Sequence, residues 1–315
     1  MKKFWIIVLT LALVVTGCSG GKGQDAGEDN GKGVKIGYAI NNMNDTQQTY
    51  IVDAAIAKAK EFDYKIDVQD AQEDVIKQQD QVNAMVEQGV DAIIVVPVDT
   101  SAMDPITKAA TDAGIPLVYV NRNPFGEGEI PEGVYYVGSQ EIEAGRFQSE
   151  YLVELMGEEG GVAILMGILS NEGAVKRTEG NEEILSEYPG IEILAKETGN
   201  WQKDQGMDIA ENWLTAYGDK LNAILSNNDE MALGAINALE AAGRDDVIVM
   251  GIDAIPDAVQ LVADGKMAAT VLQDSVGQGE GAVEIVNNVL EGKEQESIKW
   301  LDFVLVTPEN VADFQ

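Results

Sequence analysis

The sequence predicts an α/β protein with two doubly wound, parallel-sheet (Rossmann-like) lobes. Short apolar runs typical of buried strands alternate with amphipathic helical segments along most of the chain. The connections between them are short, as expected for parallel strands with helices on both faces of a sheet. The alternation starts again near Gly138 to Gln140, which indicates two modules of about equal size.

The clearest repeating unit lies between Leu221 and Gly243. Its apolar run is too short for a helix and predicts a buried strand, and the following helix ends at Gly243. Either Asn227 or Asn228 can cap that helix. Ligands of open α/β sheets bind at the carboxyl ends of the strands, so polar residues at this position predict small-molecule binding.

The first module contains five predicted strands and three predicted helices. The strands are Val34–Ile40, Lys65–Val68, Asp91–Pro97, Pro116–Val120 and Val134–Val137, and the helices are Tyr50–Phe62, Asp74–Gln88 and Asp104–Ala113.

The second module repeats the pattern after residue 140. Its predicted strands are Gly161–Met166, Ile191–Thr198, Ala223–Leu225, Val247–Gly251 and Ala269–Gln273, and its helices include Ile142–Met156, Gly173–Ser186, Gln205–Tyr217 and Pro256–Asp264. A last helix, Gly279–Leu290, and the segment Trp300–Val306 follow, and periodicity does not indicate where they pack.

Residues 1–18 are predicted to be a lipoprotein signal peptide. Two lysines precede an apolar run from Phe4 to Val15, which is too short to predict a membrane-spanning helix. The run ends in Val-Thr-Gly-Cys, which resembles the lipobox of bacterial lipoproteins and makes Cys18 the lipidated residue. A plain signal peptide with an incidental cysteine is the alternative. Residues 19–33 are rich in glycine and charge and predict a flexible tether.

The composition excludes several classes of function. The net charge is −33, from 54 acidic and 21 basic residues, and such an excess repels phosphate backbones. We therefore expect no nucleic-acid partner, and a preference for neutral or cationic ligands over anions. Cys18 is the only cysteine, which excludes disulfides and thiolate metal sites.

The chain contains no histidine, which removes the commonest general base and the commonest metal ligand. It also contains neither a G-x-x-x-x-G-K-[ST] loop nor a strand-linked G-x-G-x-x-G motif. A hydrolase with paired carboxylates is the remaining enzyme hypothesis, but among 54 acidic residues some pair always looks suitable. We therefore expect a protein that is not an enzyme, with no cofactor and no metal.

The polar residues at strand ends are the candidate binding site. They are Asn121, Arg122, Asn228, Asp253 and Gln273, with Asn41 to Asp45 on the first loop and Arg177 and Trp201 in the second module. Each hydroxyl of a polyol both donates and accepts, so carboxylate, amide and guanidinium groups can satisfy it in pairs. An indole packs against the C–H face of a sugar or cyclitol ring.

Each of these residues also has an alternative role. Asn228 can be only a helix cap, Asp253 only a turn residue before Pro256, and Trp201 only part of a core. The coincidence of so many of them at one edge of the sheets favours the binding hypothesis.

Several segments resemble the periplasmic sugar-binding proteins of ABC transporters, most strongly the galactose/glucose-binding branch, with features of the ribose- and inositol-binding branch. The resemblance extends from about residue 34 to residue 314. The segments that carry it are Ser226–Ala235, Met250–Ala258, Thr270–Gln273, Tyr136–Ser139, Val120–Pro124 and Asn200–Trp201.

The resemblance implies a type I periplasmic-binding-protein fold, with two lobes joined by a three-segment hinge that close on one sugar. Lobe 1 would comprise residues 34–139 and 274–297, and lobe 2 would comprise residues 140–273 and 298–315. Trp201 would stack on the sugar. Hydroxyls would be bound by Arg177, Asn228 and Asp253 from lobe 2, and by Asp45, Asn121, Arg122 and Gln273 from lobe 1 and the hinge.

The chain departs from the galactose/glucose branch at several positions. Gln47 stands where that branch has a second stacking aromatic residue, and Asn171 and Gly173 stand where it has a histidine and an aspartate. By position, Gln47 and Asn171 are therefore also candidate ligand-binding residues. Arg122 and Gln273 resemble the ribose- and inositol-binding branch. The segment Met156–Gly161 is too short for that branch's calcium loop.

These observations predict an extracytoplasmic, lipid-anchored, monomeric solute-binding protein that delivers a neutral monosaccharide or cyclitol to an ABC transporter permease. One alternative is a sensor that presents its closed form to a receptor kinase or chemoreceptor. A sugar-responsive transcription regulator shares the same core, but such proteins begin with a helix-turn-helix where this chain has a signal peptide.

Overall fold

A computed structural model describes residues 33–126 and 128–315, and Gly33–Gln315 forms one compact unit. The signal peptide predicted at residues 1–18 and nearly all of the tether predicted at residues 19–33 lie outside the described residues. None of the helices in the described part of the chain is both long enough and apolar enough to span a membrane.

The described residues form two six-stranded sheets flanked by helices. The strands are β1 (Lys35–Ile40), β2 (Lys65–Asp70), β3 (Ala92–Val95), β4 (Leu117–Val120), β5 (Val134–Gly138), β6 (Glu159–Met166), β7 (Gly190–Thr198), β8 (Leu221–Ser226), β9 (Ile248–Asp253), β10 (Ala269–Leu272), β11 (Ile298–Trp300) and β12 (Val304–Val306). The helices are α1 (Thr46–Glu61), α2 (Val75–Gln88), α3 (Asp104–Ala113), α4 (Glu141–Met156), α5 (Glu172–Leu185), α6 (Lys203–Tyr217), α7 (Asp229–Ala242), α8 (Pro256–Ala263) and α9 (Ser275–Leu290).

The first sheet has the strand order β11-β5-β4-β3-β1-β2, and all its strands are parallel. Every residue of β3 and β4 is buried, because helices cover both faces of the sheet. Helices α1 and α9 contribute to the core on one face, and α2 and α3 to the core on the other. We call this sheet with its four helices lobe 1.

The second sheet has the order β12-β10-β9-β8-β6-β7, in which only β12 runs antiparallel to its neighbour. Helices α6, α7 and α8 pack in the core on one face, and the ends of α4 and α5 pack in the core on the other. This sheet and its five helices are lobe 2. The α/β class and the doubly wound parallel sheets predicted from the sequence are confirmed.

The chain passes between the lobes three times: from β5 to α4, from β10 to α9, and from β11 to β12. The third passage corrects the predicted boundary between residues 297 and 298. Ile298 pairs with Tyr136 of β5, so β11 belongs to lobe 1, and the chain crosses only between Trp300 and Val304. A three-residue strand is too short to show a period, so the sequence could not indicate which sheet it joins.

Two helices of lobe 1 begin four residues earlier than predicted. Helix α1 begins at Thr46 because Asp45 caps it, with Oδ1 accepting from the amide of Gln48 at 3.2 Å. Helix α9 begins at Ser275, although its first turns contain several glycines. A Cβ at Gly279 would lie 2.2 Å from the carbonyl of Ile51, so glycine allows α9 to pack closely against α1.

Candidate functional site

One cavity between the two sheets collects all ten side chains that the sequence predicted as ligand-binding. These are Asp45, Gln47, Asn121, Arg122, Asn171, Arg177, Trp201, Asn228, Asp253 and Gln273. The same wall contains Gln48, Glu141 and Gly173, which were not predicted as site residues. Loops at the carboxyl ends of strands from both lobes supply most of this wall, as open α/β sheets favour.

Carboxamides form a connected network on the lobe 1 side of the cavity. The Nδ2 of Asn121 donates to Oε1 of Gln273 at 3.0 Å and to Oε1 of Gln278 at 3.1 Å. Its Oδ1 accepts from Nε2 of Gln48 at 2.8 Å, and Gln47 donates to the carbonyl of Gln273 at 3.0 Å. The shared hydrogen bonds orient these amides within the protein, although Oε1 of Gln48 and Nε2 of Gln278 are buried without a partner in the described residues.

The backbone at Asn121 is also held in place. Its φ is 67°, in the left-handed region that asparagine tolerates better than most residues. The hydroxyl of Tyr136 donates to the carbonyl of Asn121 at 2.9 Å. That hydroxyl lies where a Cβ at Gly138 would be, at 2.1 Å, so glycine in the first passage between lobes makes the contact possible.

The guanidinium group of Arg122 is fixed by backbone carbonyls. Its Nη1 donates to the carbonyl of Pro97 at 2.8 Å and to that of Val98 at 3.4 Å. Burial lowers the pKa of Arg122, whereas the carboxylates of Glu73 and Asp45 act in the opposite direction. Burial raises the pKa of Asp45, and the charge of Arg122 offsets part of that rise.

A buried charge cluster forms the lobe 2 side of the cavity. The Nε of Arg177 donates to Oε2 of Glu141 at 2.6 Å, and its Nη1 donates to the carbonyl of Asn227 at 2.6 Å. The same Nη1 lies 3.7 Å from Oδ1 of Asp253. Burial alone lowers the pKa of Arg177, but the Glu141 and Asp253 carboxylates raise it overall. Glu141 also accepts from Nε2 of Gln273 at 2.8 Å, which joins this cluster to the amide network.

Asp253 is the least satisfied carboxylate of the cluster. Its side chain accepts no hydrogen bond from the described residues and has Arg177 as its ion-pair partner. Burial raises the pKa of Asp253 well above its usual range, Arg177 opposes the rise, and nearby carboxylates add to it. Donor groups placed in the cavity beside Asp253 would stabilise its charged form.

The turn after β9 that carries Asp253 depends on a second buried aspartate. Asp253 has φ 126° and Ala254 has φ 55°, so the backbone turns sharply. Asp229 accepts from Oγ1 of Thr270 at 2.7 Å and from the amide of Ile255 at 3.0 Å, which holds the turn. Burial raises the pKa of Asp229 to about 7.

Trp201 forms an aromatic wall of the cavity. Its ring lies against Gly167, where a Cβ would be 2.1 Å from the indole, and the Arg177 guanidinium lies 5.7 Å from its centre. Its Nε1 donates to Oδ1 of Asn171 at 2.9 Å, and its carbonyl accepts from Nδ2 of Asn228 at 3.2 Å. The ring is partly buried and also packs against the hydrophobic core, so the core role considered for Trp201 is compatible with a place in the cavity wall.

The helix-cap alternative for Asn228 is likewise compatible with a place in the cavity wall. Its Oδ1 accepts from the amide of Met231 at 3.1 Å and caps α7, while its Nδ2 reaches Trp201. Within residues 33–126 and 128–315, no group of three or more His, Cys, Asp or Glu side chains is arranged to hold a metal ion.

The family model described as "Periplasmic binding protein domain" matches residues 36–294. The chain belongs to the periplasmic binding protein family. A second model, described as "Prokaryotic membrane lipoprotein lipid attachment site", matches residues 1–19. These two matches support an extracytoplasmic, membrane-attached location for this periplasmic binding protein.

Relatives of this periplasmic binding protein are solute-binding proteins. It is 40% identical over 320 residues to a putative rhizopine-binding protein of Rhizobium meliloti, with 100% of this chain and 99% of that one covered. A Bacillus halodurans ABC transporter solute binding protein with bound myo-inositol is 40% identical, with a TM-score of 0.83 over 89% of this chain and 96% of that one. A Caulobacter myo-inositol binding protein bound to myo-inositol is 27% identical, with a TM-score of 0.84 over 90% and 96%.

These matches confirm the predicted type I periplasmic-binding-protein fold and the membership of the periplasmic sugar-binding proteins. They also confirm that the protein is a binding protein and not an enzyme. The sensing alternative is not supported by the relatives described above.

Proposed function

We propose that this protein is the lipid-anchored solute-binding component of an ABC importer and binds a neutral monosaccharide or cyclitol by closure of its two lobes. The observation that carries the proposal is the composition of the cavity wall. Amides, carboxylates and guanidinium groups from both lobes surround one space whose wall includes the Trp201 indole. This set matches a ring with several hydroxyls on its rim and C–H groups on its face.

The proposed ligand completes hydrogen bonds that the protein leaves open. Asp253 lacks donors from the described chain, so a pair of ligand hydroxyls would supply them. The indole of Trp201 would pack against the C–H face of the ring. Because no phosphate-binding loop is present and three of the five charged side chains in the wall are carboxylates, Asp45, Glu141 and Asp253, the site suits neutral ligands better than anionic ones.

A cyclitol is the favoured ligand within this class. The Bacillus halodurans relative at 40% identity contains bound myo-inositol, and so does the Caulobacter relative. Ribose and galactose remain in the proposal because the sequence resembles both branches of the family.

The remaining parts of the proposal concern the anchor and the partner. The lipid-attachment match at residues 1–19 supports lipidation at Cys18, which would hold a monomeric binding protein close to its permease. Closure would proceed as a hinge motion about the three passages between lobes, stabilised by a ligand that contacts both sides.

Thermal unfolding of Gly33–Gln315, which contains its own hydrophobic cores, tests the ligand class. The probes are myo-inositol, D-ribose, D-galactose and, as an anionic comparison, D-galacturonate. A ligand at a hundredfold excess over its dissociation constant should stabilise the protein by about 2.7 kcal/mol. If none of the neutral probes raises the melting temperature, the proposed ligand class is wrong.

Asp253→Asn tests the site. We expect it to weaken binding of the best probe by about 1–3 kcal/mol, because Asn replaces one acceptor with a donor. The matched control is Asp246→Asn, which changes an exposed aspartate that pairs with Arg244. Equal affinities for both variants and the wild type would contradict the assignment of Asp253.

A further inference from the structure

Asn171 uses both ends of its amide within the protein, and one of the two hydrogen bonds reaches the opposite lobe. Its Oδ1 accepts from Nε1 of Trp201 at 2.9 Å, and its Nδ2 donates to the carbonyl of Val98 at 2.8 Å. Only 1% of the residue is exposed. The oxygen and one N–H of this amide are therefore bonded within the protein itself.

The second of these hydrogen bonds crosses the cleft. Asn171 precedes α5 in lobe 2, whereas Val98 follows β3 in lobe 1. An asparagine in this position normally caps its helix, but the side chain of Asn171 makes no cap hydrogen bond. Instead of a cap hydrogen bond, the side chain makes a hydrogen bond with the opposite lobe.

The Val98 carbonyl accepts hydrogen bonds from side chains of both lobes. It also accepts from Nη1 of Arg122 at 3.4 Å, so an arginine of lobe 1 and an amide of lobe 2 share one acceptor. Beside it, the amide and Oγ1 of Thr100 donate to the carbonyl of Ser170 at 3.3 Å and 3.2 Å. Three hydrogen bonds thus join the loop after β3 to the loop before α5.

We propose that Asn171 is a closure latch and a positioning residue for Trp201, and that it does not select the ligand through a particular hydroxyl. The bond to Val98 forms only when the lobes are together, and the bond to Trp201 fixes the indole in that same state. Closure and orientation of the aromatic wall are thereby coupled through one amide. This inference rests on the proposed closure of the lobes around a ligand.

The two roles predict different patterns of loss for Asn171→Ala. A latch contributes equally to every closed complex, so dissociation of myo-inositol and of scyllo-inositol should accelerate by the same factor, about tenfold. A residue that binds one hydroxyl would instead affect most the isomer that presents that hydroxyl. Stopped-flow dissociation with both isomers measures the factors. Ser170→Ala, which keeps the backbone carbonyl bonded to Thr100, is the matched control and should leave both rates unchanged.

A second measurement works without ligand. Ile76 on α2 and Leu155 on α4 are exposed on opposite lobes, so Ile76→Cys and Leu155→Cys allow spin labels in Gly33–Gln315, which has no cysteine of its own. Asn171→Ala should shift the ligand-free distance distribution away from the closed distance, relative to Ser170→Ala. Trp201→Phe, which removes the indole N–H together with part of the ring and leaves the bond from Asn171 to Val98 in place, should give a smaller shift in the same direction.

The outcomes separate this inference from the proposed function. Unchanged distances together with a loss confined to one cyclitol would overturn the latch and restore Asn171 as a ligand residue. Shifted distances in a protein whose wild type binds none of the sugars or cyclitols would support the latch and refute the proposed ligand class.

Discussion

Lobe 1 lines its half of the cavity mainly with carboxamides, whereas lobe 2 contributes an arginine, two carboxylates and an indole besides the amides of Asn171 and Asn228. The amides around Asn121 bond to one another, and only Arg122 and Asp45 bring charge from that side. On the other side, Arg177 bonds to Glu141 and lies near Asp253, all three nearly fully buried.

The two halves differ in the free energy that is lost when one side chain is removed. A neutral amide network that loses one partner leaves a dipole unsatisfied, which costs about 1–3 kcal/mol. A buried ion pair that loses one partner leaves a charge in a poorly solvated site, which costs about 3–5 kcal/mol. We therefore expect lobe 2 to dominate the energetics of the site.

The largest effect is expected for Arg177→Met. Removal of the guanidinium leaves Glu141 and Asp253 without their cation, so the free energy of unfolding should fall by about 3–5 kcal/mol near neutral pH. The loss should shrink at low pH, because burial raises the pKa of Asp253 and its carboxyl is protonated there. Chemical denaturation at pH 7 and at pH 4 measures both values.

Arg146→Met is a close control, because Arg146 also joins α4 to α5 through glutamates, namely Glu143 and Glu183. Its side chain is about one-third exposed, and surface pairs contribute only about 0–1 kcal/mol. If the free energy of unfolding falls by similar amounts in the two arginine variants, the buried cluster stabilises the protein no more than the surface ion pairs do.

A smaller effect is expected for Gln278→Met in lobe 1. Gln278 accepts one hydrogen bond from Asn121, while its own Nε2 is buried without a partner. The substitution removes that unsatisfied donor together with the bond, and Asn121 keeps its contact with Gln273. Affinity for the best probe should fall by less than about fivefold, or about 1 kcal/mol. A loss as large as that of Asp253→Asn, measured by calorimetry, would show that the two halves contribute equally.

The smallest effect is expected from Glu172 in lobe 2, and it depends on pH. Burial and the neighbouring Glu141 charge raise the pKa of Glu172 from 4.5 to about 8, although Arg177 opposes the rise. The folded protein therefore retains a proton that the unfolded chain releases near pH 4.5, and stability falls as the pH rises between these values. Glu172→Gln should flatten this dependence, so that its Tm is higher than that of the wild type at pH 8 and equal to it at pH 4.

Scanning calorimetry across this pH range tests the prediction for Glu172. The exposed Glu87→Gln on α2 of lobe 1 is the control and should follow the wild-type curve. If the Tm of Glu172→Gln changes with pH in the same way as that of the wild type, this carboxyl is excluded as a source of the pH dependence.

The sequence predicted the fold and the contents of the cavity well because both follow from the same repeating unit. Each strand is a short apolar run, and the residue after it lies at the sheet edge where ligands bind. Asn121 directly follows β4, Asn228 lies two residues after β8 and Asp253 ends β9, and the structure brings all three into one cavity. Their binding roles remain predictions, which the variants above address.

The residues that sequence analysis missed lack such a signal. Glu141 is the first residue of α4 and one of 54 acidic residues, so nothing in its local pattern distinguishes it from a surface charge. The one feature that could have indicated a place in the site is its position directly after the first passage between lobes. Gln48 lies in the first turn of α1, between the predicted loop that ends at Asp45 and the predicted helix that begins at Tyr50.

The third passage between lobes leaves the described chain starting in one lobe and ending in the other. Strand β1 lies in lobe 1, whereas β12 lies in lobe 2 and the final turn, Val311–Phe314, contacts α8. A donor and an acceptor fluorophore attached to the two ends would therefore be carried by different rigid bodies. Energy transfer between them would report occupancy of the cleft without any label near the site.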